Sequence, residues 1–157
     1  MKELVAVLHD IRSLHNVGSI MRTADAAGVS KIYFCGITPK PTDAFGKYRP
    51  QISKVALGAE KTVPWEYSKS SIRTISRLKK EGYKIFAVEQ SKKSVPYHKA
   101  KPGKKDRIVL VMGNEVKGLP QSVLKNSDKI LEIPMRGKKE SLNVSVSFGI
   151  AVFRIII

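Results

Sequence analysis

Short β-branched apolar runs alternate along the chain with stretches whose apolar residues recur at helical spacing. VAVLH (5–9), IYFCG (32–36), IFAVE (85–89) and IVLVM (108–112) are near-continuous apolar runs, as expected of strands covered on both faces. Between them, Ile72, Ile75 and Leu78 share one helical face and Arg73, Arg77, Lys79 and Lys80 the other, which predicts a helix over 70–81 stopped by Gly82. This alternation predicts an α/β fold with a mostly parallel sheet flanked by helices on both sides.

Leu142 to Ile157 departs from the pattern, because only Asn143, the serines and Arg154 interrupt an otherwise apolar or small-residue run. A helix apolar all round needs cover all round. One side can lie on the sheet, and the other predicts a subunit interface, of the isologous homodimer kind. Two polar stretches, Thr38 to Ile52 and Ser91 to Asp106, read as mobile, basic loops.

Composition narrows the partners. A chain of 157 residues, 42% of them hydrophobic, has the size of one domain, taken here as residues 1–157 without a separate RNA-binding domain. Lys and Arg total 29 against 13 acids, a formal charge of +16, which points to a polyanion: RNA, DNA or an anionic membrane. No apolar run reaches the roughly 20 residues of a membrane span, and MKELVAVLHD lacks the basic flank and long apolar core of a signal peptide, so a cytoplasmic location is expected. Cys35 is the single cysteine and His9, His15 and His98 lack ligand spacing, so no metal is expected.

The candidate chemistry lies in three stretches. In HDIRSLHNVGSIMRTADAAGV, Asn16 reads as a helix N-cap, Gly18 as a close-approach residue and Arg22 as either a surface cation or part of an anion site at the helix start. In IVLVMGNEVKGLP a buried strand runs into Gly113, Asn114 and Glu115, with Gly118 and Pro120 bounding the turn. Ligands of open α/β sheets bind at such strand ends. The pattern is neither a dinucleotide fingerprint nor a phosphate-binding P-loop. In EIPMRGKKESLNVSVSFGIAVF a strand meets a basic glycine loop, and Ser141 reads as the cap of the final helix. Loops following two strand ends can jointly enclose a small ligand.

Taken in order, NVGSIMRTADAAGV, VMGNEVKGL and IPMRGKKESLNVSVSFGIAVF resemble the SPOUT superfamily of methyltransferases, in its SpoU or TrmH-like branch, over nearly the whole chain. The resemblance implies a deep trefoil knot in the C-terminal part, an obligate homodimer, S-adenosylmethionine as cofactor and methylation of a ribose 2′-hydroxyl in tRNA or rRNA. Carried over by motif, Asn16, Arg22, Glu115, Ser141 and Asn143 would be catalytic. The cofactor would lie against Val88, Glu89, Met112, Gly113, Asn114, Gly118, Ile133, Met135, Ser141 and Leu142, with Glu89 and Gln90 in a loop that varies within the family. RNA would meet Arg22, Arg49, Lys92, Lys93, Lys104, Lys105, Arg136 and Lys138. The alternatives are a base methyltransferase of the guanine-N1 type and a non-catalytic RNA-binding protein on the same fold. Asn16 with Arg22 favours ribose over base, and the intact GNE and SLNVS motifs argue for catalysis.

Overall fold

The computed structural model describes residues 2–157. Its strands are β1 (Glu3–His9), β2 (Lys31–Cys35), β3 (Trp65–Ser68), β4 (Lys84–Val88), β5 (Val95–Pro96), β6 (Arg107–Met112) and β7 (Lys129–Glu132). They form one sheet of order β3-β2-β1-β6-β4-β7-β5, in which every pair is parallel. The helices are α1 (Leu14–Ala27), α2 (Pro50–Ala56), α3 (Ala59–Thr62), α4 (Ser71–Lys80), α5 (Gln121–Lys125) and α6 (Val144–Ile156).

The period of two along each strand explains the layers. Leu4, Ala6 and Leu8 face a core closed by α1, α2, α3 and α6, while Val5 and Val7 face a second core closed by α4 and α5. Both faces are therefore covered, as the apolar runs required.

Helix α4 matches its expected span to within a residue at each end, with the Ser70 hydroxyl accepting from the Arg73 N–H as its cap. Thr38 to Ile52 differs from expectation, because it is tied down. The Thr38 hydroxyl lies within bonding distance of the Leu8 and Cys35 carbonyls and accepts from the Ile11 N–H, and α2 starts at Pro50. Ser91 to Asp106 contains the two-residue β5 and a helical turn over Tyr97–Lys99.

Gly18 has the role its motif suggested. A Cβ there would stand 2.8 Å from the Ile52 carbonyl oxygen and 2.9 Å from the Val55 Cβ, so α1 and α2 touch at the backbone. A Gly18→Val chain must push the helices apart, and overpacking of this kind costs about 1–3 kcal/mol. It should melt about 2–12 °C lower. An unchanged thermal midpoint by circular dichroism would argue against the close contact.

Helix α6 covers the sheet with Phe148, Ala151, Val152 and Ile155, which are buried, while Val146 and Phe153 stand 49% and 41% exposed on its other side. No helix among the described residues is long and apolar enough to cross a membrane.

Candidate functional site

All strands point the same way, so their carboxyl ends share one edge, and the loops following β4, β6 and β7 meet there. They enclose a cleft of about 1530 Å³. Val88 and Glu89 line it from the end of β4. Met112, Gly113, Asn114 and Gly118 come from β6 and the turn after it, and Ile133, Met135, Ser141 and Leu142 from the segment between β7 and α6. Every residue carried over for the cofactor thus reaches one cleft.

The turn after β6 is built by its own polar groups. The Asn114 side-chain oxygen accepts from the N–H groups of Val116 (2.9 Å) and Lys117 (2.8 Å), and its amide donates to the Asp10 carbonyl (2.7 Å). Gly118 adopts φ 67° and donates its N–H to the Asn114 carbonyl. A Cβ on Gly113 would lie 2.7 Å from the Gly118 carbonyl carbon and 2.8 Å from Leu119 Cγ, and one on Gly118 would collide with the Glu89 carboxylate. These glycines close the turn, in addition to whatever approach they leave to a ligand. Glu89 fastens the turn to β4, since its carboxylate accepts the Leu119 N–H at 2.8 Å.

Glu115 joins the first motif to the second. Its carboxylate accepts from the N–H groups of Arg12 (2.9 Å) and Ser13 (3.0 Å) and from the Asn16 amide (3.1 Å). Asn16 in turn accepts from the Asn143 amide at 3.1 Å, which brings in the third motif. Burial alone would raise the Glu115 pKa. The donors from Arg12, Ser13, its own backbone N–H and Asn16 outweigh it and hold the carboxyl below the ordinary glutamate range. At neutral pH the group is an ionised acceptor whose oxygens are already engaged.

That sign sets a pH dependence. A depressed folded pKa adds stability that is complete above the ordinary glutamate range and is lost as the pH falls through the folded value. Glu115→Gln keeps the shape but turns an amide NH₂ toward an N–H donor. At this exposed position the loss should be about 1 kcal/mol, lowering the neutral-pH midpoint by a few degrees and narrowing the gap to the parent chain in acid. Equal midpoints at neutral pH would show that the clasp does not hold the motifs together.

Several expectations are corrected by the helix ends. Asn16 is not the N-cap of α1: Ser13 is, its hydroxyl accepting the Asn16 N–H at 3.1 Å, and this leaves the buried Asn16 side chain free to face Glu115. Ser141 is not the cap of α6 either. Asn143 is, accepting from the Ser145 N–H at 2.8 Å, and Ser141 stays exposed on the cleft wall.

Arg22 is not in the cleft. It is exposed on the outward side of α1, where the helical period also places His15, Ser19 and Ala26. Of the basic residues expected to meet RNA, Lys92 and Lys93 line the mouth of the cleft and Arg136 and Lys138 stand exposed on the loop that borders it. Lys104 and Lys105 precede β6 and therefore sit at the opposite edge of the sheet. The Arg49 guanidinium donates to the Lys40 carbonyl at 3.1 Å and pins its own loop.

The motifs do not signal the remaining lining groups. Leu124 enters from α5 and Ile130 and Leu131 from β7, and only the strand-end rule could have suggested the last two, whereas Leu119 closes the second motif. Gln90 clasps the third motif, its amide donating to the Glu140 carbonyl at 2.8 Å. Among the described residues no group of His, Cys, Asp and Glu could hold a metal ion.

The chain matches the model of the SpoU rRNA Methylase family over residues 3–153. It belongs to that family. It is 38% identical over 149 residues to a 23S rRNA (guanosine-2′-O-)-methyltransferase of Neisseria meningitidis serogroup B, covering 95% of this chain and 56% of that protein. It is 32% identical over 152 residues to a tRNA (guanosine(18)-2′-O)-methyltransferase of Aquifex aeolicus, covering 97% and 68%. Among solved structures, the AdoMet-bound rRNA methyltransferase from Sinorhizobium meliloti superposes with a TM-score of 0.86 at 30% identity, covering 97% of this chain and 55% of that one. The SpoU chain thus spans little more than half the length of the 23S rRNA methyltransferase and of the Sinorhizobium structure.

Proposed function

We propose that this SpoU chain transfers a methyl group from S-adenosylmethionine to a ribose 2′-hydroxyl of an rRNA or tRNA, and so acts in the cytoplasm. The observation that carries the reading is the convergence of the three motifs on one cleft, locked by the Glu115–Asn16–Asn143 hydrogen bonds. The relatives named for 2′-O-methylation of 23S rRNA and tRNA, and the AdoMet-bound neighbour, support it.

The cleft residues suit the cofactor. Met112, Ile133, Met135 and Leu142 supply apolar surface for an adenine, and the backbone beyond the ends of β4, β6 and β7 supplies donors and acceptors for its edges. The volume exceeds the upper end of ordinary ligand pockets, about 1000 Å³, and leaves room for a nucleotide beside the cofactor. S-adenosylmethionine supplies a methyl on a sulfonium, already a good leaving group.

The protein's share is to align the hydroxyl and help remove its proton. Glu115, committed to backbone donors, holds the motif together and takes no proton at neutral pH. The Ser141 hydroxyl is exposed at the wall and suited to orient or relay the proton. Arg22, whose guanidinium stays charged in proteins, clamps the neighbouring phosphate and stabilises the developing alkoxide.

Arg22 stands outside its own cleft, beside a helix α6 that leaves Val146 and Phe153 exposed. We therefore propose a homodimer through α1 and α6, in which the Arg22 face meets RNA lying across the subunit boundary. The deep trefoil knot implied by the family belongs to the same reading. Insertion of β6 between β1 and β4, and of β7 between β4 and β5, is the strand order that such threading needs.

The test is incubation with radiolabelled S-adenosylmethionine and total RNA, followed by digestion to nucleosides. Label in a 2′-O-methyl nucleoside is expected. Label on a base would transfer the assignment to base methylation, and cofactor binding without transfer to any RNA would remove the enzyme claim.

A further inference from the structure

The loop between β2 and α2 presents an aromatic ring that the cleft chemistry leaves unused. Phe45 is 89% exposed, more than any other large apolar side chain among the described residues. The loop holds it out rigidly. Thr42 and Tyr48 form an antiparallel bridge, the Asp43 N–H donates to the Lys47 carbonyl (2.8 Å), and the Asp43 carboxylate accepts from the N–H groups of Phe45 (2.8 Å) and Lys47 (3.0 Å). The ring is thus presented without the entropy cost of ordering a free loop.

The same loop carries a second ring and a lysine. Tyr48 is 42% exposed, and the Lys61 ammonium lies 5.3 Å from its ring centre. Lys47, between Phe45 and Tyr48 along the chain, is exposed. Among the described residues neither lysine pairs with a carboxylate, and the loop's one acid, Asp43, is spent on the turn.

We propose that Phe45 and Tyr48, with Lys47 and Lys61, form a stacking platform for an unpaired segment of the RNA substrate, separate from the methyl-transfer cleft. The inference rests on the reading of this chain as an RNA enzyme. Exposed rings accept the π-face of any base, and adjacent ammonium groups take the flanking phosphates, a combination that serves single strands and not duplexes. A protein pocket would accept the phenyl but would make little use of the cations. The position is suitable as well. The loop leaves the carboxyl end of β2, on the same edge as the cleft, and β2 is two strand positions from β6 and three from β4, about 10–15 Å by strand spacing.

The experiment measures fluorescence anisotropy of the full chain with a fluorescein-labelled single-stranded RNA dodecamer and with the same RNA annealed into a duplex. Stacking of one base is equivalent to about five- to a hundredfold in affinity. Phe45→Ala should therefore weaken single-strand binding by about tenfold and leave duplex binding within about twofold. Phe45→Trp should restore it, and Phe45→Leu, which keeps the apolar bulk without the ring, should behave as alanine does. Matching melting curves confirm that the exposed position leaves the fold alone. Unchanged single-strand binding by Phe45→Ala overturns the proposal, as does wild-type binding by Phe45→Leu. So does a change of oligomeric state in Phe45→Ala by sedimentation, which would make the ring a protein anchor. Failure of the parent chain to methylate any RNA would count against the enzymatic reading alone, because this binding readout needs no methyl transfer.

Discussion

Arg22→Ala is expected to lower methyl transfer to RNA by about a thousandfold and to leave S-adenosylmethionine affinity within about twofold of the parent chain. The two halves of that result have separate causes. Arg22 is exposed on α1 and absent from the cleft lining, so its loss takes nothing from the cofactor. In the proposed dimer its charge faces the RNA phosphate and the developing alkoxide, where a cation contributes most once bound RNA excludes water. Arg22→Lys keeps the charge and loses the planar fork, so it should recover part of the rate and no more. Single-turnover transfer and isothermal titration with the cofactor measure the two halves. A fully active alanine variant would remove Arg22 from the reaction, and a large loss of cofactor affinity would show that it shapes the cleft from a distance.

Gly113→Ala should produce the complementary defect. The added methyl would stand 2.7 Å from backbone of the same turn and 2.8 Å from Leu119 Cγ, so the wall of the cleft must shift, and not merely a side-chain tip. Overpacking against backbone costs about 1–3 kcal/mol, equivalent to a midpoint lower by several degrees. The shifted turn also carries Asn114 and Glu115, so cofactor affinity should fall by at least about tenfold. Titration with S-adenosylmethionine at a temperature where the variant is folded checks it. Parental affinity in a folded variant would show that the turn is not part of the cofactor's wall.

The strands and α4 could be read from the sequence because their signals are local. Ile72, Ile75 and Leu78 define a face without help from any distant residue, and β1, β2, β4 and β6 are apolar runs that must be covered on both sides. Strand β5 could not be read. It is two residues long and is a strand only because Val95 and Pro96 pair with Leu131 and Glu132. The helix caps were ambiguous for a similar reason, since Ser13 and Asn16 are both good caps, and the competing Glu115 bond that leaves the cap to Ser13 comes from 99 residues away. Ser141 and Asn143 are likewise both good caps, and there Asn143 caps the helix with its oxygen while its amide reaches Asn16.

The sequence by itself determined the alternation of strand and helix, the excess of positive charge and, through its ordered motifs, the family. Those properties are carried by neighbouring residues or by simple sums. Only the tertiary structure decided that the three motifs share one cleft, that Glu115 is engaged by backbone donors, that Arg22 lies outside that cleft and that Lys104 and Lys105 lie at the far edge of the sheet. Each of these depends on parallel strands bringing their carboxyl ends together and on contacts such as Asn16 with Asn143, 127 residues apart. No local pattern encodes such a distance, because chain closure and packing set it.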